Sequence, residues 1–341
     1  MGADHLPTEP DELTPRWLTN ALAARTGGAA VVNLTITPIE ARGSLFGLPL
    51  LLTLEWAVAG AGPDRLVAKL TGHEDAARQA AAELGLFRRE VAFYAELATR
   101  CGVRAPMAWF AEATDDTVVL LLEDLTELRN IDADTLEPRD VMSVLDALAA
   151  MHARWWADPA LDRYPWLAHG HDHLGTMTDR LRGALGRFVE LYDTVLEPAQ
   201  RRFVERLADE GSAAWAPTDC DPVTLVHGDA KPSNIFFSDT GPVFIDWQAA
   251  GAMHPATDLA NLLGAALSDR AHDDTLLARY KSHMAGADIV IDLDELHAPL
   301  RAAARLFVVR AVAATISTDK QFLSALGPVL QRRIAYALTL G

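Results

Sequence analysis

Residues 225–248 carry acidic and amide side chains at a spacing that suits chemistry on phosphate groups. The segment holds a His-Gly-Asp tripeptide that ends at Asp229, and Asn234 follows five residues later. Two short apolar stretches separated by a turn come next, and the second of them ends at Asp246. Because two strands joined by a tight turn return the chain to its starting point, we expect Asn234 and Asp246 to lie at the same end of a hairpin.

These three side chains provide a general base and a metal site. Mg²⁺ prefers oxygen ligands and is usually held by one or two side chains together with water and phosphate, so we expect Asn234 and Asp246 to bind it. Asp229 precedes them on a loop, where its carboxylate can take the proton of an incoming hydroxyl. Transfer of a phosphoryl group to an alcohol requires this combination. The alternative is that both aspartates only cap turns, but the joint spacing favours the catalytic interpretation.

The rest of the chain divides into a part rich in predicted strands and a part rich in predicted helices. Apolar and β-branched residues predict strands in the first part, at residues 31–39, 49–58, 65–70, 107–112 and 117–123. Residues 74–100 have the composition of a helix. Beyond residue 140 the pattern predicts short strands within 224–245 and helices at residues 141–156, 177–207, 273–284 and 293–340. These elements predict the α+β class.

The bulk composition argues against several classes of protein. The net charge of −17 disfavours a nucleic-acid binder, because a phosphate backbone is bound by basic patches. Two cysteines in 341 residues give neither a disulfide framework nor a metal cluster. No apolar stretch is long enough to cross a bilayer, and the N-terminus lacks the pattern of a signal peptide. We therefore expect a cytoplasmic protein with no nucleic-acid or membrane partner.

The segment around Asp229 resembles the catalytic core of the protein-kinase-like fold and, within it, the aminoglycoside phosphotransferase and choline kinase superfamily. The His-Gly-Asp tripeptide, the Ile-Asp-Trp sequence around Asp246 and the following residues 251–260 (GAMHPATDLA) carry this resemblance. The sequences LLLEDL at 120–125 and IDWQ at 245–248 are most similar to the ecdysteroid-kinase-like (CHK kinase-like) subgroup.

The resemblance implies a bilobal fold and a reaction. Residues 1–125 would form a small nucleotide-binding lobe, made of an antiparallel sheet with one main helix. Residues 126–341 would form a larger helical lobe that carries the catalytic loop and the substrate pocket. The implied activity is phosphoryl transfer from ATP, with GTP as the alternative, to a small-molecule alcohol in the presence of Mg²⁺.

The resemblance also implies roles for residues of the first lobe. Lys69 lies in a sequence that is similar to the strand with the phosphate-binding lysine. Glu90 shares a helical face with apolar residues, where a lone carboxylate would be costly to bury, so we expect it to pair with Lys69. Glu83 lies on the same face and is the second candidate for this partner.

Further site residues follow from the resemblance. Ser44 lies where a glycine-rich loop should cover the phosphates, although this chain has two glycines four residues apart there and not the full pattern. Glu123 and Leu125 fall where the family joins its lobes, and the backbone there should bind the adenine. Lys231 matches the protein-kinase pattern D-x-K-P-x-N and is expected to reach the transferring phosphate. Asp258 resembles the acid with which the family braces its catalytic loop, whereas the histidine of the tripeptide is expected to be structural.

A protein kinase and a pseudokinase are the rival interpretations. Eleven residues separate Asp246 from Asp258, which is too few for an activation loop and a peptide platform. Gly228 replaces the arginine that would read a phosphorylated loop. A pseudokinase, which binds nucleotide without chemistry, should have lost the base, a metal ligand or Lys69, and all of these are present. The sequence therefore favours a small-molecule kinase.

The acceptor alcohol is the least determined part of the prediction. Asp273, Asp274, Asp292 and Glu295 would suit an amino sugar or an aminoglycoside, but charged residues of this kind usually form solvated surfaces. A neutral sugar, a polyketide-like alcohol or other natural product, a nucleoside and choline are the alternatives.

Overall fold

The computed structural model describes residues 5–39, 47–130, 136–217, 221–266 and 270–341. The chain divides into two compact units, of which the first comprises Met1–Thr99 and Ala105–Arg129. The second unit comprises Arg100–Arg104 and Asn130–Gly341. The combination of an antiparallel sheet with many helices confirms the predicted α+β class.

The first unit is built on a five-stranded sheet. Its elements in chain order are α1 (Pro15–Thr26), β1 (Val31–Pro38), β2 (Gly47–Trp56), β3 (Arg65–Thr71), α2 (Asp75–Glu83), α3 (Leu86–Glu96), β4 (Ala108–Ala113) and β5 (Val118–Glu123). The strands lie in the order β1-β2-β3-β5-β4, and each neighbouring pair is antiparallel. Strand β3 is therefore central in the sheet.

The pleat of β3 separates its apolar side chains from Lys69. Leu66, Ala68 and Leu70 are fully buried and belong to the hydrophobic core that also contains residues of α1. Because side chains alternate along a strand, Lys69 lies on the other face of the sheet. The register pairs Lys69 with Leu120 of β5. The alternation of apolar residues in this strand thus fixes the face on which the lysine is presented.

Gly85 divides the helix that the sequence predicts over residues 74–100. Helix α2 ends at Glu83 and helix α3 begins at Leu86. Gly85 lies between them with a φ of 65°, a left-handed conformation that glycine adopts without steric cost and that commonly ends a helix. The second helix then turns Glu90 and Phe93 into the interior, where both are buried.

The rest of the chain is mainly helical. Its elements in chain order are β6 (Arg129–Asn130), α4 (Pro138–Arg154), α5 (Leu174–Tyr192), α6 (Pro198–Glu210), β7 (Thr224–Val226), β8 (Ile235–Ser238), β9 (Gly241–Phe244), β10 (Gly251–Met253), α7 (Ala256–Ala266), α8 (Asp273–Ala285), α9 (Leu293–Ala313) and α10 (Lys320–Thr339). Caps at Glu197 and Asp319 divide two of the long helices that the sequence predicts. None of the helices in the described part of the chain has the length and apolar character that a membrane crossing requires.

Helix α7 is the central helix of the second unit. Every residue of Ala256–Ala266 is buried, and the helix packs against α9 and α10. Strands β7 and β10 pair in antiparallel fashion, and β8 and β9 form a hairpin. These short strands support the segment between β7 and β8, which contains Asp229.

Candidate active site

A glycine constrains the loop that contains Asp229. Gly228 has a φ of 78°, and a Cβ atom at this position would lie 2.0 Å from the carbonyl oxygen of Ala249. No real Cβ atom approaches a backbone oxygen so closely, so the loop tolerates only glycine here. The position therefore cannot hold the arginine of the protein-kinase pattern.

Asp258 braces this loop from the first turn of α7. Its two carboxylate oxygens each accept a hydrogen bond of 2.8 Å, one from the backbone amide of His227 and one from that of Gly228. The side chain is fully buried, and His152 Nε2 lies 3.2 Å from it. Because buried amides are costly to leave unpaired, these two bonds fix the backbone immediately before Asp229. The contact is the one that the resemblance implied.

His227 is held on both ring nitrogens. Nδ1 accepts a hydrogen bond of 3.1 Å from the amide of Asp229, and Nε2 lies 2.9 Å from the carbonyl oxygen of Ile245. Accepting at Nδ1 requires the proton on Nε2, which therefore donates to that carbonyl. Burial lowers the pKa of His227, and its ring packs 4.4 Å from the ring of Trp247. With both nitrogens engaged, the imidazole supports the loop and does not move protons.

Four polar side chains surround the carboxylate of Asp229. Lys231 Nζ and Asn234 Nδ2 donate to Oδ2 over 2.8 and 3.0 Å. Asn261 Nδ2 donates to Oδ1 over 3.1 Å, and Arg333 Nη2 lies 3.7 Å from the same oxygen. Burial alone would raise the pKa of Asp229, but the charges of Lys231 and Arg333 outweigh it and lower the pKa to about 2. The carboxylate is therefore ionised at neutral pH.

The β8–β9 hairpin brings Asp246 back toward Asn234. Ile235 pairs with Phe244, and the amide of Ile245 donates to the carbonyl oxygen of Asn234 over 3.0 Å. Asp246 has a φ of 65°, which is uncommon for a residue with a side chain. Residues in such sparsely populated conformations are often found at functional sites. The structure thus places Asn234 and Asp246 at the same end of the hairpin, and their role as metal ligands stays a prediction.

Lys69 and Glu90 form an ion pair within the first unit. Lys69 Nζ lies 2.7 Å from Glu90 Oε2, and the two side chains are 14% and 1% exposed. Glu90 is buried on the same helix as Phe93, and pairing offsets the cost of burying its charge. Glu83, the second candidate, is exposed and accepts a hydrogen bond from Gln79. The geometry therefore favours Glu90 as the partner of the lysine.

The remaining sequence-predicted residues belong to the first unit. Glu123 accepts a hydrogen bond of 3.1 Å from the amide of Met107, and Leu125 is buried. Both side chains already have contacts within the protein, so an adenine base would be contacted by the backbone here. That backbone contact stays a prediction. Ser44 lies outside the described residues.

Three residues near Asp229 were not predicted from the sequence: Asn261, Arg310 and Arg333. Arg333 Nη2 donates to Asn261 Oδ1 over 2.6 Å, so a chain of hydrogen bonds runs from Arg333 through Asn261 to Asp229. Arg310 Nη1 donates to the carbonyl oxygen of Gly228 over 3.1 Å. A signal was present for Asn261, which is the single polar residue in the apolar run LANLLGAA, because a polar side chain inside a buried helix needs a partner.

The chain belongs to the phosphotransferase enzyme family, whose family model matches residues 53–296. The matched range includes Lys69, Asp229, Asn234 and Asp246. The match confirms the predicted superfamily and the prediction of a small-molecule kinase, while the ecdysteroid-kinase-like subgroup stays a prediction. No curated protein sequence matches the chain.

Solved structures of phosphotransferases share the fold. The macrolide 2'-phosphotransferase MphH from Brachybacterium faecium has a TM-score of 0.52 and 17% identity, over 92% of this chain and 97% of that chain. Choline kinase from Cryptosporidium parvum has a TM-score of 0.57 and 10% identity, over 90% and 88%. The GDP and kanamycin complex of APH(2")-IIia has a TM-score of 0.54 and 14% identity, over 93% and 98%. At such low identity these similarities show the fold alone, and they confirm the predicted kinase-like fold.

Proposed function

We propose that the protein transfers the γ-phosphoryl group of ATP to a hydroxyl of a small molecule, with Asp229 as the catalytic base. The proposal is carried by one observation, an ionised carboxylate that is 18% exposed and held by hydrogen bonds on both oxygens. Such a group can orient a hydroxyl and then accept its proton. The low pKa of Asp229, about 2, means that it mainly orients the alcohol and takes the proton late, which suits a loose transition state.

The reaction balances within these groups. The hydroxyl proton moves to Asp229 while the hydroxyl oxygen forms a bond to the γ-phosphorus. The bond between that phosphorus and the bridging oxygen breaks, and ADP leaves with the electron pair. Lys231, whose Nζ lies 2.8 Å from Asp229 Oδ2, is proposed to neutralise charge on the transferring phosphoryl group.

Asn234 and Asp246 are proposed to hold Mg²⁺. Asn234 donates through its amide nitrogen to Asp229, so the amide oxygen is the atom that a cation would meet. Among the described residues no group of three or more His, Cys, Asp or Glu side chains could hold a metal. The amide oxygen of Asn234 and the carboxylate of Asp246 instead form a two-residue set, which fits Mg²⁺ because this ion is commonly held by one or two side chains together with phosphate and water. When bound, the ion would screen the charge of the nucleotide phosphates.

The nucleotide is proposed to be bound by residues of the first unit. Lys69 is the proposed phosphate ligand, and its ion pair with Glu90 would hold the ammonium group in place. Ser44 is the proposed contact of the covering loop. The backbone from Glu123 to Leu125 is the proposed adenine site. The complex of APH(2")-IIia contains GDP, which supports GTP as the alternative donor.

A small-molecule acceptor is supported by the relatives and by the chain after Asp246. The similar structures include a macrolide phosphotransferase, a choline kinase and a complex with kanamycin. Residues Trp247–Ala249 form a short helical turn, β10 follows at once, and α7 begins at Ala256. This path has no segment long enough for a peptide platform, which argues against a protein kinase.

A coupled assay of ADP release across a library of alcohols and aminoglycosides tests the proposal. Asp229→Asn should lower kcat by about 10²–10⁴, because it removes the group that accepts the proton. Asp239→Asn is the matched control, since Asp239 is exposed in the turn between β8 and β9. If kcat of Asp229→Asn stays within a few-fold of the parent enzyme, Asp229 is not the base.

A further inference from the structure

Two arginines from the last two helices lie close to the proposed base. Arg310 of α9 is partly buried, and its Nη1 donates to the carbonyl oxygen of Gly228 over 3.1 Å. The side chain of Arg333 of α10 is 8% exposed, and its Nη2 lies 3.7 Å from Asp229 Oδ1. Their guanidinium carbons lie 5.1 and 5.2 Å from the ring centroid of Phe307. One aromatic ring therefore packs against two cations beside Asp229.

Among the described residues, Asp229 is the acidic side chain whose charge acts on both arginines. This carboxylate also pairs with Lys231 over 2.8 Å, so it faces three cations. Within the part of the chain that the structure describes, Arg333 has no other acidic side chain within 4.0 Å, and Arg310 has none. The carboxylate of Asp258 in α7 already accepts hydrogen bonds from two backbone amides. The two arginines therefore share Asp229 with Lys231, and neither has an acidic side chain to itself among the described residues.

Few of the N–H donors of the two arginines bond to protein groups that the structure describes. A guanidinium carries five N–H donors. Arg310 gives one bond to Gly228, Arg333 gives one to Asn261, and the buried Nε of Arg333 has no hydrogen-bond partner among the described residues. Burial lowers the pKa of Arg333 to about 10, although Asp229 opposes the shift. Because one carboxylate is shared among three cations, the arrangement is suited to receive a second anion.

We propose that Arg310 and Arg333 bind an anionic group of the acceptor, a carboxylate or a phosphate ester, close to the hydroxyl that Asp229 receives. The acceptor is then a hydroxy acid or a phosphorylated alcohol. An ammonium group directly beside the reacting hydroxyl is disfavoured, because it would lie close to three cations. This inference rests on the proposed function, since it concerns the acceptor of the same reaction.

Anion binding tests the inference without knowledge of the acceptor. The nucleotide site is first filled with Mg²⁺ and a non-hydrolysable ATP analogue, so that added anions do not bind there. Inorganic phosphate, citrate, choline and kanamycin are then titrated separately while Tm is followed. We expect the two anions to raise Tm and the two cations to leave it unchanged. A rise with the cations, or none with either anion, would overturn the inference.

Variants locate the anion site. Arg310→Met and Arg333→Met should each weaken phosphate or citrate binding about 10- to 100-fold, because each removes a charge-assisted contact. Arg301→Met is the matched control, since Arg301 is an exposed residue of the same helix as Arg310. Arg333→Lys keeps the charge and should retain part of the binding. Unchanged anion binding in both methionine variants would overturn the inference. If a variant does not fold, the comparison of anions with cations in the parent protein still tests it.

Matched acceptors then distinguish the two sources of negative charge. Each hydroxy acid is compared with its methyl ester, and each phosphorylated alcohol with its unphosphorylated parent. The anionic member should have a kcat/KM at least about tenfold higher, and Arg310→Met should remove this preference mainly by raising KM. Equal rates within every pair would overturn the inference and leave the proposed function standing. The proposed function fails by a different result, ADP release that does not depend on Asp229.

Discussion

Replacement of Lys231 by methionine should raise the pKa of Asp229. Lys231 Nζ donates to Asp229 Oδ2 over 2.8 Å, and its charge is the first of the effects that oppose burial at this carboxylate. The substitution removes the charge and keeps a side chain of similar length. Arg333 and Asn261 remain to hold the other oxygen. The variant therefore changes the pKa of Asp229 while its other contacts are kept.

The expected size of this shift follows from the contacts. Burial raises the pKa of Asp229, and the cations bring it from the ordinary 3.8 down to about 2. An opposite charge at hydrogen-bond distance lowers the pKa of a carboxylate by about 1–3, so the variant should have a pKa of roughly 3–5. A base works only when it is ionised, so activity falls as the pH drops through its pKa. In the parent enzyme that fall lies near pH 2, and in the variant it moves up to roughly pH 3–5.

The assay is kcat/KM for the best acceptor, measured from about pH 3 to pH 8, because its pH profile reports the pKa values of the free enzyme. Lys231→Met should show an acid limb within this range that the parent lacks, whatever the loss of rate at neutral pH. Lys231→Arg keeps the charge and should restore the parent profile. Parallel profiles for the parent and Lys231→Met would refute the idea that Lys231 keeps Asp229 ionised.

Two further substitutions test the loop and the nucleotide site. Gly228→Ala should lower the free energy of unfolding by about 2 kcal/mol or more in urea titrations, because its Cβ would lie 2.0 Å from a carbonyl oxygen. The control is Gly183→Ala, which lies on an exposed helix surface with open space and should be neutral or stabilising. Equal effects of the two changes would contradict the steric argument. Glu90→Gln should weaken ATP binding about tenfold in calorimetry by releasing its lysine partner, while the exposed Glu83→Gln should leave it unchanged. The reverse order would make Glu83 the partner.

Local sequence determined what could be predicted about the site. Asn234 and Asp246 are joined by one short hairpin, so their spacing alone places them at the same end of it. The pairing of Lys69 with Glu90 was predictable because the family resemblance implied an acidic partner for the lysine, and Glu90 is a carboxylate on an apolar helical face that needs a cation. The break at Gly85 was missed because helix-forming residues on both sides outweighed one glycine in the pattern.

The contacts from the last helices could not be predicted in this way. Arg310 meets the carbonyl of Gly228 across 82 residues, and Arg333 meets Asn261 across 72. Periodicity shows that a helix has an apolar face, but it does not show which other element that face contacts. From sequence alone, an arginine in an amphipathic helix is expected to lie on the solvent-exposed face. Their position beside Asp229 follows only from the packing of α9 and α10 against α7.

The stoichiometry of the reaction tests the central claim most directly. ADP and the phosphorylated alcohol are quantified together in the presence of Mg²⁺, ATP and each acceptor, for the parent enzyme and for Asp229→Asn. We expect one phosphorylated alcohol for each ADP, with both products reduced about 10²–10⁴-fold in the variant. ADP release without a phosphorylated acceptor, or equal transfer by the variant, would contradict Asp229-dependent phosphoryl transfer to a small-molecule alcohol.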